Sequence, residues 1–217
     1  MIRQLIQLLY PPKCVLCQTL LAKNETDLCH KCRTALEDYI PPKKNISFVA
    51  SWQAMWYYKD NVRDSILRYK FSGRISYGPV YARFLALRLM QWEMTDFDLI
   101  TWVPISAKRR RKRGFDQVKI LCVHTARELG RKATATLKKH RHTPAQSSLP
   151  HASQRRANVL GAYRVIDPKK VVGRRILLLD DVITTGATVS ECARVLLTAG
   201  AKEVYCAAIA ATSYTKR

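Results

Sequence analysis

The chain has 217 residues and carries 38 Lys and Arg against 16 Asp and Glu, a formal net charge of +22. With 47% hydrophobic residues and only 8 Gly and 9 Pro, it has the make-up of a folded domain plus a small appendage. Collagen-like and disordered classes are excluded. The longest apolar runs, such as Ile176–Leu179, fall far short of the roughly 18 residues a membrane helix requires. Ile2–Tyr10 is broken by Arg3, Gln4 and Gln7 and lacks the pattern of a signal peptide. A soluble, cytoplasmic protein is expected.

Residues 1–13 are expected to form one amphipathic helix (Ile2, Leu5, Ile6, Leu9) that ends at Pro11-Pro12. A cysteine module occupies residues 14–40. Pro41-Pro42 then opens a linker over 41–45, and the main domain runs from 46 to 217. In the module, Cys14-x-x-Cys17 and Cys29-x-x-Cys32 are separated by 11 residues, so each pair can wrap one side of a tetrahedral ion. Four thiolates around Zn²⁺ make a closed structural site, with no open position for catalysis. Lys13, Lys31 and Arg33 offset its negative charge, and a module with so little apolar content should fold only with its metal. The other cysteines, Cys122, Cys192 and Cys206, lie in apolar stretches and are read as small buried side chains. Seven cysteines, an odd number, in a chain without an export signal point to a reducing compartment.

Beyond the linker, Ser47–Tyr58 is rich in β-branched and aromatic residues and predicts one or two strands. Asn61–Phe71 and Val80–Met90 predict helices, and Asp98–Pro104 a short buried strand. Gly114–Leu129 predicts a helix, Leu137 a further strand, and the polar, basic stretch His140–Asn158 a mobile segment. Arg175–Asp180 predicts a buried strand, Ala187–Ala199 a helix and Glu203–Ala210 a last strand. This alternation implies an α/β fold with a mostly parallel sheet flanked by helices. Ligands of such sheets sit beyond the carboxyl ends of the strands, which directs attention to the residues after Leu179 and after Val103.

Ile176-Leu-Leu-Leu-Asp-Asp-Val-Ile-Thr-Thr-Gly-Ala-Thr188 is the most informative segment. Four aliphatic residues make a strand buried on both faces, and Asp180 and Asp181 follow at its carboxyl end. Adjacent carboxylates raise each other's proton affinity unless a partner is present, and sugar hydroxyls or a divalent cation are suitable partners. Thr184, Thr185, Gly186, Ala187 and Thr188 then open the next helix. Their small side chains let consecutive N–H groups approach an anion, and the helix N-terminus adds partial positive charge. No lysine stands in this turn and no Gly-x-x-x-x-Gly-Lys-[Ser/Thr] occurs, so it is not a nucleoside-triphosphate P-loop.

Charge is concentrated elsewhere. Val103–Arg175 holds 20 Lys and Arg against Asp116, Glu128 and Asp167, and Lys108, Arg109, Arg110, Arg111, Lys112 and Arg113 are consecutive. Such a single-signed surface points to nucleic acid ahead of a merely solvated basic face, and a face resting against anionic lipid headgroups would carry the same sequence signature. Arg141, Arg155 and Arg156 extend the basic set into the polar segment. Among the aromatics, Tyr69 and Phe71 flank Lys70, where core packing and base stacking are equally good readings.

The thirteen residues Ile176–Thr188 resemble the 5-phosphoribosyl-1-pyrophosphate (PRPP) signature of type I phosphoribosyltransferases. That resemblance implies that Asp180 and Asp181 hold the ribose hydroxyls and Thr184–Thr188 the 5-phosphate, with Mg²⁺ accompanying PRPP. It also places Pro104, Ile105 and Ser106 where the family has its pyrophosphate loop. The order of a Cys₄ module, Tyr69-Lys70-Phe71-x-Gly73, Pro104, Arg113-Gly-Phe-Asp-Gln117, Thr143-x-x-Gln146, Arg156-x-Asn158, Gly161-Ala-Tyr163 and the signature resembles the ComF family of competence proteins. Asp116 departs from the Asn usual there. The resemblance implies a cytoplasmic factor of natural transformation that binds incoming single-stranded DNA, working with a DNA-translocating helicase and a recombination mediator. Peripheral contact with the inner face of the cytoplasmic membrane is compatible with the basic face. The alternative is an active phosphoribosyltransferase acting on an unidentified acceptor, and a third reading is an RNA-binding zinc ribbon.

Overall fold

A computed structural model describes residues 11–42, 45–143 and 152–213. The expected N-terminal helix, Gln146 and the centre of the polar segment lie outside them. Within the described residues the elements are α1 (His30–Ala35), β1 (Ser51–Tyr57), α2 (Asp60–Phe71), α3 (Tyr77–Gln91), β2 (Leu99–Trp102) and α4 (Ala107–Arg113). They continue with α5 (Gln117–Glu128), β3 (Leu137–Lys139), α6 (Ala152–Val159), β4 (Tyr163–Val165), β5 (Arg175–Ile183), α7 (Ala187–Thr198) and β6 (Glu203–Ala211).

Four strands form one parallel sheet in the order β1-β6-β5-β2, and β3 and β4 pair as a separate antiparallel ribbon. The central strand β5 is apolar on both faces because each face is covered. Leu177 and Leu179 join the cluster built with α2, α3 and α5, and Ile176 and Leu178 join the one built with α7 and the ribbon. Strand side chains alternate, so the two acids that follow point to opposite faces. Asp181 takes the α2/α5 side and Asp180 the α7 side.

Three details differ from the sequence reading. First, β5 runs three residues further, through both acids to Ile183, because β6 continues alongside and pairs Asp180 with Ala208 and Val182 with Ala210. Second, the helix expected over Gly114–Leu129 starts only at Gln117. Gly114, at φ 84°, closes α4 in the left-handed region, and Asp116 caps α5 by accepting from the Val118 and Lys119 amides. Third, the stretch expected to be mobile contains α6.

Packing does not break at the linker. Val15, Leu16 and Leu28 of the cysteine module are buried in the same cluster as Ile66, Tyr81 and Leu85 of α2 and α3. Ser65 and Arg68 of α2 donate to the carbonyls of Val15 and Leu16. After the module the chain returns beside β1, with the Tyr39 amide donating to the Met55 carbonyl at 3.0 Å. No helix among the described residues is long and apolar enough to cross a membrane.

Candidate functional site

The sulfurs of Cys14, Cys17, Cys29 and Cys32 all lie within 4.8 Å of one another, and those of Cys17 and Cys29 are 3.6 Å apart. That separation is far too long for a disulfide of about 2.05 Å. It suits two corners of a tetrahedron with metal–sulfur bonds of about 2.3 Å. The module is built for this convergence: Cys14 and Cys17 lie on a tight turn closed by the Lys13–Leu20 bridge, and Cys29 and Cys32 bracket the start of α1. Burial, and then the neighbouring Cys17, push the Cys32 thiol well above its ordinary range. Four thiolates here therefore need a cation. The donor set fits a structural Zn²⁺ ion and leaves no open coordination position.

The second site is a cleft of about 830 Å³ over the carboxyl ends of the parallel strands. Val103, Pro104 and Ile105 line it after β2, Asp180 to Ile183 at the end of β5, Thr184 to Val189 in the turn into α7, and Thr212 after β6. The turn is held open by its glycine. Gly186 sits at φ 73° as the residue before α7, and a Cβ there would lie 2.9 Å from Ile46. Thr185 Oγ1 accepts from the Ala187 amide at 3.5 Å.

Two residues quoted in the motif order above, but given no site role there, complete the acid pair. Lys70, at the end of α2, places Nζ 2.7 Å from Asp181 Oδ1, and Gln117, the first residue of α5, donates from Nε2 to Oδ2 at 2.6 Å. Arg113 in turn donates to Gln117 Oε1. Among the described residues Asp180 forms no ion pair of this kind, although the Lys70 charge acts on it. Its Oδ1 accepts the Asp181 amide at 2.8 Å, and burial first, Asp181 second, raise its pKa to about 8. Lys139 of β3 and Tyr163 of β4 add a basic wall, with Lys139 Nζ 4.9 Å from the Tyr163 ring centre. Burial, followed by Arg109, lowers Lys139 to about 8. The signal for Lys70 was present in the sequence: two adjacent acids require a cation, and Lys70 is the lone charge between two aromatics at a helix end.

The remaining predicted residues separate into distinct places. The basic run forms α4, and its helical spacing divides it. Arg109, Lys112 and Arg113 line the cleft, whereas Lys108, Arg110 and Arg111 are exposed and outside its lining. Arg155 reaches the cleft; Arg141 and Arg156 are exposed. Arg141 donates to the Leu160 carbonyl at 2.7 Å. Ser106 is occupied in caps: its Oγ accepts from the Arg109 amide at 3.3 Å and lies 2.9 Å from His142 Nδ1. Asp116 accepts the Ile105 amide at 3.4 Å, which an amide nitrogen in its place would not do. Tyr69 is fully buried and Phe71 is 69% exposed beside the Arg113 guanidinium, so core packing claims the first and not the second.

The donor set does not favour a divalent ion held by the acids. Both oxygens of Asp181 already have partners, and burial, followed by the Asp181 charge, raises the proton affinity of Asp180.

A parallel α/β sheet with paired acids and a Thr-Gly turn at one strand end, joined to a four-cysteine module, defines a phosphoribosyltransferase-like protein with a zinc ribbon. Family comparison agrees on both parts: a phosphoribosyl transferase domain matches residues 108–216 and a double zinc ribbon domain residues 5–43. The chain is 31% identical over 192 residues to "DNA utilization protein YhgH" of Escherichia coli O6:H1, covering 84% of this chain and 83% of that one. It is 33% identical over 154 residues to "Competence protein ComFC" of Streptococcus pneumoniae R6, covering 71% and 65%. It is 28% identical over 186 residues to "Competence protein F" of Haemophilus influenzae Rd, covering 81% of each. Among solved structures, glutamine PRPP amidotransferase of Bacillus subtilis shares 22% identity at a TM-score of 0.46, over 66% of this chain and 30% of that one. The chain belongs to the ComF-type family of phosphoribosyltransferase-domain proteins with an N-terminal zinc module.

Proposed function

We propose that the protein is a cytoplasmic DNA-handling factor of the competence type, which holds single-stranded DNA on its basic face and a phosphorylated pentose in its cleft. The observation that carries the reading is the division of α4. One helix supplies Arg109, Lys112 and Arg113 to a cleft that the turn Thr184–Thr188 also lines, and Lys108, Arg110 and Arg111 to the outside. The names of the relatives, competence and DNA utilization, support the DNA half of it. The turn Thr184–Thr188 would receive the 5-phosphate on backbone N–H groups at the start of α7, and Asp180 and Asp181 would receive hydroxyls of the sugar. Where the ligand is PRPP, Mg²⁺ is expected on the ligand's own pyrophosphate oxygens, which meet Arg109 and Arg113.

The exposed arginines of α4, with Arg141 and Arg156, would track a DNA backbone, and the same face would rest against anionic headgroups at the inner surface of the membrane. A translocating helicase and a recombination mediator are the partners such a role calls for. The test is titration of a labelled oligonucleotide at several salt concentrations. Affinity should fall steeply with salt, and a flat dependence would refute the electrostatic reading.

A second reading, transfer of phosphoribose from PRPP to an acceptor, is favoured by the size of the cleft, which exceeds what a pentose phosphate fills. In that case positioning and charge stabilisation by Arg109, Arg113 and Lys139 would carry the reaction. Pyrophosphate release in the presence of candidate bases, amines or oligonucleotides tests it, and no release with any of them would favour the binding role.

A further inference from the structure

The acid pair at the end of β5 is neutralised from within the chain. Lys70 and Asp181 meet at 2.7 Å with side chains only 17% and 8% exposed, and Gln117 holds the other oxygen of Asp181 at 2.6 Å. Lys70 arrives there on a fixed support. Tyr69, its neighbour, donates to the Gln117 carbonyl at 2.6 Å. Phe71, on its other side, lies 4.9 Å from the Arg113 guanidinium. The preceding turn of α2 is tied through Ser65 and Arg68 to the zinc module. A long, flexible side chain that rises from an anchored helix end and is already paired with Asp181 has lost much of the freedom that binding would otherwise cost it.

We propose that Lys70 is the resident counter-cation of the pentose-binding acids, so that the cleft takes a pentose 5-phosphate without a divalent ion. The inference rests on the phosphopentose reading given above. Chemically the pair suits a vicinal diol. An ammonium has three N–H groups, so two remain after one is given to Asp181, and each carboxylate oxygen keeps a free lone pair. Adjacent hydroxyls can then donate to Asp181 and accept from Lys70 at once. Asp181 is thus already neutralised by Lys70 and held by Gln117, and burial raises the proton affinity of Asp180, so the pair offers little free negative charge to a metal ion.

Calorimetry with ribose 5-phosphate, in EDTA and in Mg²⁺, tests this on the wild-type chain and on Lys70→Met and Lys70→Arg. Wild-type affinity should agree within about twofold between the two buffers. Lys70→Met should bind at least about tenfold more weakly in EDTA and recover in Mg²⁺, and Lys70→Arg, which keeps the charge but not the ammonium geometry, should bind more tightly than Lys70→Met in EDTA. Because Lys70→Met leaves the buried Asp181 with Gln117 but without a counter-charge, its melting temperature should rise with Mg²⁺ alone. Lys70→Met/Asp181→Asn, with no charge to compensate, should fold in EDTA and ignore Mg²⁺. Wild-type binding that appears only with Mg²⁺, or Lys70→Met that binds normally in EDTA, would overturn the inference. Absence of wild-type binding in both buffers would instead refute the phosphopentose reading, and the inference with it.

Discussion

Ile46 packs its side chain against the α-carbon of Gly186, close enough that a Cβ on the glycine would lie 2.9 Å from Ile46 Cγ1. A residue from just beyond the linker thus braces the turn that would hold the phosphate. Gly186 also stands at φ 73°, where an L side chain is strained. Gly186→Ala should therefore lose about 1–3 kcal/mol of stability in urea melts and distort the turn enough to abolish phosphopentose binding. A variant with unchanged stability and affinity would show that the turn adjusts freely and is not a rigid cradle.

Tyr69 joins two helices that meet at the cleft. Its hydroxyl, fully buried, donates to the carbonyl of Gln117. Tyr69→Phe removes this hydrogen bond between the helices and should cost about 1 kcal/mol of stability. Since the neighbouring Lys70 and Gln117 itself both engage Asp181, the same change should weaken ligand binding. Thermal melts paired with calorimetry check both effects. Loss of stability with affinity intact would separate the helix contact from the site.

Asp180 supplies a pH dependence with a definite sign. Its pKa is raised to about 8 in the fold, through burial first and Asp181 second, against about 3.9 in an unfolded chain. Between those values the folded state keeps a proton that the unfolded state has released, so stability is lost as the pH rises toward 8. Asp180→Asn removes this loss. Urea melts should show the variant gaining on the wild type between about pH 5 and about pH 8.5. A constant or reversed difference would mean that Asp180 is ionised and paired in the fold.

The two faces of α4 should behave differently. Lys108→Ala/Arg110→Ala/Arg111→Ala removes three exposed charges and should shallow the salt slope of single-stranded DNA binding by about two units. Phosphopentose binding should be untouched. Arg109→Ala/Arg113→Ala should do the opposite, weakening the small ligand most. Equal loss of both activities in both variants would mean that DNA and the pentose share one surface.

Much of this was legible in the sequence because periodicity reports burial directly. The strand of Ile176–Leu179 and the helices at Asn61–Phe71 and Ala187–Ala199 lie within a few residues of their predicted bounds. The cysteine spacing likewise pointed to the sulfur cluster. The break at Gly114 was misread, although a glycine followed by Asp116 carries both a helix stop and a helix start. What could not be read was partnership across the chain. Gln117 and Asp181 are 64 residues apart in sequence, and only the docking of α2 and α5 on one face of β5 brings Lys70 and Gln117 to the same carboxylate. The division of the basic run into inner and outer faces was equally hidden until α4 was seen to be a helix beside the cleft.

The central claim is that Asp180, Asp181 and the turn Thr184–Thr188 together bind a phosphorylated pentose. Calorimetric titration of PRPP into the wild-type chain and into Asp180→Asn/Asp181→Asn, each verified as folded by circular dichroism, tests it most directly. The account predicts saturable one-to-one binding to the wild type and none to the double variant. Equal binding by both proteins, or no binding by the wild type, would contradict it.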